Sequence, residues 1–347
     1  HLVWGSTALS GTPDWIVDGG YSREKLISIM EAHIIAVMTR YKGVIEAYVV
    51  VNEKNNGLGL YDWWLQEIGP EYVPLAFQKA EAEGLTFVHP YDDLDIIAGQ
   101  GTIGLEMLED VPDLDVIVVP IGGGGIISGI ATAVKAIRPE VEVIGVETEV
   151  YPAMHDVVRG IDRPIGGDTI ADGIAVKTPG RITREIVSRL VDDLLLVSEA
   201  SIEAAVQALI TEAKVVVEGA GAVGLAAIQE NQERFEGRRI GLVLCGSNID
   251  PRILASVLLR GMSRAGHLAS LRISIDDRAG VLGRVAQVIG AAGGNIVETH
   301  HQRMFTHVSV KRAELDVLVE TRDAAHATLL VARLQDAGFA TRLMPDG

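Results

Sequence analysis

The stretch "VVPIGGGGIISGI", residues 118–130, sets four consecutive glycines directly behind a short apolar run. A run such as "DVIVVP" reads as a buried strand, and the residues after the glycines read as a helix beginning near Ile126 and Ser128. A glycine-rich turn between strand and helix exposes backbone N–H groups at the positive end of the helix dipole, where an anion is favoured. Gly122, Gly123, Gly124 and Gly125 fit that description. Glycine also simply permits unusual dihedrals, so the tract alone is equally a tight or flexible turn. Its spacing is neither G-x-G-x-x-G nor a loop ending in G-K-[ST], which leaves a single compact phosphate as the better-fitting anion.

Outward from the tract, about Ala80 to Gly266, the chain is rich in Gly, Ala, Val and Ile. Strands "DVIVVP", "VEVIGVE" and "RIGLVLC" alternate with helices, one of them carrying Ile202, Val206, Leu209, Ile210 and Ala213. That alternation predicts an α/β fold, a parallel sheet covered by helices. Residues 267–347 follow the connection "RGMSRAG" and read strand, helix, strand, strand, helix, strand. This βαββαβ order suits a small separate module. Residues 1–79 hold most of the aromatic side chains. There Ser22 can cap a helix whose apolar positions Leu26, Ile27, Met30, Ile34, Val37 and Met38 keep helical spacing, and "VIEAYVVVNE" reads as a buried strand.

With 30 basic and 47 acidic residues among 347, the formal net charge is −17, which argues against nucleic acid or an anionic membrane as partner. One cysteine, Cys245, rules out an internal disulfide and fits a reducing cytoplasm. Mean hydropathy is +0.26, yet the apolar runs are too short to span a bilayer. The chain opens on "HLVWG", without Met or a basic stretch, so a signal peptide is not expected and the start reads as cut.

Five stretches, "EGLTFVHPYDDLDIIAGQGTIGLEML", "VVPIGGGGIISGIATAVK", "GGDTIADGIAVKTPG", "VVVEGAGAVGLAA" and "LVLCGSNID", together resemble the threonine/serine dehydratases, fold-type II pyridoxal-phosphate enzymes. "DRAGVLGRVAQVIGAAGGNIVETHHQR" resembles the ACT regulatory module of the short catabolic members, with Ala279 where that module often has Pro. The resemblance implies pyridoxal 5'-phosphate as cofactor and elimination of ammonia from L-threonine, giving 2-oxobutanoate. It implies that Gly122 to Gly125 and the N–H of Ile126 hold the cofactor phosphate. Cys245 would face the pyridine nitrogen, Glu218 would sit near the ring or a cation, and Glu147 could join a cation site, although no carboxylate partner follows it at suitable spacing. The implied partners are threonine or serine and an effector amino acid at the ACT module, in a cytoplasmic, allosteric homo-oligomer.

That family carries its Schiff-base lysine in an S-F-K motif and steadies the cofactor through S-x-G-N-H, and this sequence contains neither. Lys25, Lys42, Lys54 and Lys79 upstream of the tract lack that setting, and Lys25, Lys79, Lys135 and Lys214 read as helix-surface residues. The resemblance therefore implies a dehydratase whose activity is weak or lost. A non-catalytic, ACT-type amino-acid-binding protein is the alternative.

The first segment, with "GTPDWIVDGGYSREKLISIMEAHIIAVMTRYKG" and "VVVNEKNN", resembles the family-10 glycoside hydrolases, β-xylanases built as (β/α)₈ barrels. There Glu53 would be the general acid/base at a strand end, with Asn52, His1 and Trp4 at the sugar site and Gly5 where many members have His. A retaining glycosidase needs a second carboxylate about 5 Å away. "RAELDV" at Glu314 imitates the family's nucleophile strand but falls in the ACT-like module, so it reads as coincidence, and a remnant endo-1,4-β-xylanase is the less favoured alternative function. The whole chain is thus expected to be a chimera: a barrel fragment over 1–79, the later part of a dehydratase domain over 80–266, and an ACT module over 267–347.

Overall fold

The computed structural model describes residues 12–42, 64, 67–68, 71–302 and 312–344. They divide into two compact units, His1–Leu196 with Phe235–Val243, and Val197–Arg234 with Leu244–Gly347.

After a single helical turn at Asp14–Val17, the first unit forms helix α1, Arg23–Arg40, which starts where the Ser22 hydroxyl accepts a hydrogen bond from the Lys25 N–H at 3.3 Å. It packs on helix α2, Tyr72–Ala82, around a cluster of Leu26, Met30, Ile34, Trp64, Tyr72 and Ala80. The sequence reading placed a junction at residue 79, inside this helix. The described residues before Ala80 form helices, and α2 runs unbroken across the expected junction. Ala80, beyond that junction, is buried in the same apolar cluster as Leu26 and Met30. His1, Trp4, Asn52, Glu53 and "VIEAYVVVNE" lie outside the described residues.

Beyond α2 come helix α3 (Leu94–Asp110), strand β1 (Val116–Pro120), helix α4 (Gly125–Ile137), strand β2 (Glu142–Thr148), helices α5 (Ala153–Arg159) and α6 (Arg181–Leu190), and strand β3 (Asp193–Val197). Strand β4, Ile240–Leu242, completes a sheet of order β3-β2-β1-β4, with β1 parallel to both β2 and β4. Every residue of β1 is buried, as a central parallel strand covered on both faces requires. Helices α3 and α4 approach closely because small residues line the contact. A Cβ on Gly129 would lie 2.6 Å from the Gly101 backbone nitrogen and overlap the Ile97 carbonyl.

In the second unit, helix α7 (Glu199–Ala208) ends in a wider turn over Leu209–Ala213 and packs on helix α8 (Gly219–Glu230). Helix α9, Pro251–Arg264, is capped by Asp250 and leads into the C-terminal module. There β5 (Leu268–Asp276), α10 (Val281–Ala291), β6 (Asn295–Gln302), β7 (Arg312–Glu320), α11 (Ala324–Asp336) and β8 (Ala340–Leu343) follow in the βαββαβ order expected from the sequence. Its antiparallel sheet has the order β6-β7-β5-β8. One face carries Leu271, Ile273, Leu315 and Val317 into a core with Val285, Ile289, Leu330 and Leu334. Among the described residues no helix is long and apolar enough to cross a membrane.

Candidate functional site

In a parallel sheet, ligands gather beyond the carboxyl ends of the strands. The tetraglycine tract stands there, between the end of β1 at Pro120 and the start of α4 at Gly125. The Ile121 N–H extends the ladder to the Val146 carbonyl at 2.8 Å, and from Gly122 the chain leaves the sheet. Gly124 caps α4 with φ at 94°, a left-handed conformation that glycine adopts without strain. The first helical bond, from Ser128 N–H to the Gly124 carbonyl, is 3.0 Å long. Among the described residues no protein acceptor takes the N–H groups from Gly122 to Ile127. They form a row of unclaimed donors at the positive end of a 13-residue helix.

The walls around the tract come from sequence-distant segments. A Cβ on Gly123 would overlap the Tyr91 ring, and one on Gly124 would lie 2.6 Å from Met154 Cε and 2.9 Å from Thr183 Cβ. A Cβ on Gly122 would press on Ile174 Cα at 3.2 Å. At Gly123 the close approach of the Tyr91 ring favours glycine, and at Gly124 the positive φ does. The Thr183 hydroxyl donates to the Gly123 carbonyl at 2.7 Å. Asp92 seats the start of α6 by accepting the N–H groups of Arg181, Ile182 and Thr183 at 2.9, 2.7 and 3.2 Å. Those three bonds offset the cost of desolvation, the largest influence on the group, and hold the carboxyl below its ordinary pKa.

Glu147 near the end of β2 is 1% exposed. Its two carboxylate oxygens accept the Met154 and His155 N–H groups at 2.8 and 2.7 Å, so they are engaged in starting α5. Burial pushes its pKa up to about 7 against the opposing pull of those two bonds. Among the described residues no cluster of His, Cys, Asp and Glu could hold a metal ion.

Cys245 and Glu218 belong to the second unit and are neighbours there. Glu218 precedes α8, and its carboxylate accepts the Asn248 N–H at 3.1 Å, while its own N–H donates to the Gly246 carbonyl at 3.2 Å. Gly221 lets the first turn of α8 lie against the Cys245 carbonyl. Burial, and then the Glu218 charge, push the Cys245 thiol pKa upward and keep it a neutral, weak donor. Glu314 stands on β7 opposite Ser274, 4.0 Å from Arg272.

The lysines occupy varied settings. Lys79 pairs with Glu83 at 2.8 Å, and Lys214 donates to the Thr211 carbonyl at 2.6 Å. Lys135 is no free surface residue: it pairs with Asp192 at 2.6 Å and donates to the Val141 carbonyl at 2.8 Å. Lys25 and Lys42 are exposed, and Lys54 lies outside the described residues. Lys177, which the sequence reading passed over, is exposed and follows the segment that backs Gly122. Tyr91, Asp92 and Thr183 were missed as well. Asp92 and Thr183 meet across 91 positions, and the one local signal is the Asp92-Asp93 doublet. Asp93 alone caps α3, through the Asp95 and Ile96 N–H groups, which leaves Asp92 for another task.

A glycine cradle at the switch from a parallel strand to its covering helix, joined to a separate βαββαβ module, defines a class of cofactor-dependent α/β enzymes with a regulatory domain. The pyridoxal-phosphate dependent enzyme family matches residues 69–246 and the ACT domain matches residues 263–337. The chain belongs to the pyridoxal-phosphate dependent enzymes and carries an ACT domain. It is 40% identical over 276 residues to the L-threonine ammonia-lyase of Thermotoga maritima, spanning 79% of this chain and 69% of that protein. With the enzyme of the same name from Geobacter sulfurreducens it shares 42% identity over 272 residues, 78% of this chain and 67% of that one. Among solved structures, the processed form of threonine deaminase isoform 2 from Solanum lycopersicum superposes with a TM-score of 0.50 at 33% identity, over 55% of this chain and 53% of that one. The chain thus spans about two thirds of the curated ammonia-lyases and about half of that crystallised deaminase.

These matches overturn the reading of the chain as a chimera with a family-10 glycoside hydrolase fragment. The cofactor family begins at residue 69, inside the segment assigned to the xylanase. The family's cofactor is pyridoxal phosphate, and the residues present fit its phosphate end. The glycine tract offers unclaimed N–H donors at a helix N-terminus, and a Cβ at Gly123 would overlap the Tyr91 ring that walls it.

Proposed function

We propose that this chain binds pyridoxal phosphate and an amino acid as part of an ACT-regulated threonine ammonia-lyase, acting on L-threonine or L-serine. The observation that carries the reading is the row of unclaimed N–H groups from Gly122 to Ile127 at the carboxyl end of β1. Gly122 to Gly125 and Ile126 bind the phosphate, a doubly charged anion matched to a helix N-terminus. The neutral Cys245 thiol serves the pyridine nitrogen as a weak donor, and Glu218, which holds the loop after Cys245 through Asn248, keeps that thiol in place. When bound, the cofactor supplies the electron sink for loss of the substrate α-proton and of the β-hydroxyl. Residues 80–266 form the cofactor-binding segment and residues 267–347 the regulatory one, which takes an effector amino acid in a cytoplasmic homo-oligomer.

The sequence contains no S-F-K motif, so production of 2-oxobutanoate and ammonia from threonine is expected to be weak or lost in this chain. The test is to add pyridoxal phosphate, reduce with borohydride and map the modified lysine by mass spectrometry, alongside an assay with threonine. One stoichiometrically labelled lysine with product formation would overturn the expectation of lost activity. Absence of saturable cofactor binding would remove the cofactor reading. Amino-acid binding alone would then favour the non-catalytic alternative, which the βαββαβ module supports.

A further inference from the structure

The Gly123–Gly124 peptide is a weak point in any phosphate cradle. Its carbonyl and its N–H point in opposite directions because the peptide unit is planar and trans. With glycine on both sides the unit can rotate at little steric cost, and half a turn would present a carbonyl oxygen to the anion in place of an N–H. The structure shows what opposes this. The buried Thr183 hydroxyl donates to the Gly123 carbonyl at 2.7 Å, with the Gly180 N–H 3.4 Å from the same oxygen. We propose that Thr183 is a positioning residue that locks this peptide so that the Gly124 N–H faces the phosphate, and that Asp92 holds Thr183 in register.

Asp92 does two things in this arrangement. Its three backbone bonds fix the first turn of α6, which carries Thr183. Its negative charge also occupies the positive end of α6, next to the tract, and leaves α4 as the helix end open to an incoming anion. Asp92 is itself oriented by His89, whose Nδ1 accepts the Asp92 N–H at 2.9 Å. Gly180 completes the clamp: a Cβ there would lie 2.6 Å from Thr183 Oγ1 and overlap Asp92.

This inference rests on the tract as the phosphate site, so its test compares pyridoxal phosphate with pyridoxal, which lacks the phosphate, on the full chain. Thr183→Val removes the hydroxyl at nearly constant volume. It should weaken pyridoxal phosphate and inorganic phosphate about tenfold, the scale of one lost hydrogen bond, and leave pyridoxal unchanged. Thr183→Ser should restore phosphate affinity, and Asp92→Asn should give a smaller loss with the same selectivity. Thermal melting without cofactor identifies any variant that merely misfolds, in which case the Thr183→Ser and Asp92→Asn pair decides. Unaltered phosphate affinity in Thr183→Val, or equal losses for pyridoxal and its phosphate, would overturn the lock while leaving the phosphate site standing. Failure of the unaltered protein to prefer pyridoxal phosphate over pyridoxal would overturn both.

Discussion

Every residue of β1 is buried, whereas along β7 buried and half-buried positions alternate. The first strand belongs to a parallel sheet with helices on both faces, the second to an antiparallel sheet whose second face carries Arg272, Glu314 and Asp316. A sheet covered on both sides keeps water away from its strand ends, and polar groups there must be satisfied by helix termini. Glu147 follows that rule at the start of α5, whereas the N–H groups of the glycine tract are left for an incoming anion. A sheet with one open face can satisfy its polar groups with each other, as Arg272 does in donating to Asp316 at 2.6 and 2.7 Å.

The sharpest way to break the comparison is at the covering layer of the parallel sheet. Gly129→Val sets a branched side chain against the backbone of α3, which cannot yield as a side chain end would. Destabilisation above about 3 kcal/mol, read from the urea midpoint, is expected. In the antiparallel sheet, Leu271→Ala removes a fully buried side chain from the single core face and should cost about 3 kcal/mol in the same measurement.

A third test uses pH. Glu147 has a folded pKa raised from 4.5 to about 7, so between these values the folded state binds more protons than the unfolded state. Its contribution is therefore fully present below about pH 4.5 and is lost as pH rises through about 7, with a swing of about 3 kcal/mol. Glu147→Gln should flatten that part of the stability profile, and an unchanged slope would remove the account of the buried carboxylate. The smallest effect belongs to the open face. Asp316→Asn should lower the melting temperature slightly at low salt, with the difference fading as salt is added.

Much of this architecture was legible because its signals are local. The all-apolar "DVIVVP", the glycines behind it and the alternation in "RAELDVLVET" each report burial through side-chain period alone. Strand β3 escaped because it is short and its apolar run "LLLV" follows two aspartates, Asp192 and Asp193. Lys135 was read as solvated surface because helix spacing does not reveal what a four-carbon stem can reach. The walls of the cradle were illegible for a stronger reason. Tyr91, Asp92 and Thr183 meet only after the chain closes, and single positions 91 apart leave no periodic trace. The xylanase reading failed at the same limit, since a capped amphipathic helix such as α1 states that it has a buried face without saying which fold provides the cover.

Helix α4 meets the tract at one end and is tethered at the other, where Lys135 bridges to Asp192 and to the Val141 carbonyl. At about 1.5 Å per residue its 13 residues form a strut of roughly 20 Å, fastened during folding by bonds that involve no ligand. Little ordering entropy should therefore be charged to cofactor capture, and affinity should come mainly from a rapid docking of charge onto a rigid seat. Slow amide exchange through the middle of α4 in protein stripped of cofactor would be the mark of a helix that waits in its final place.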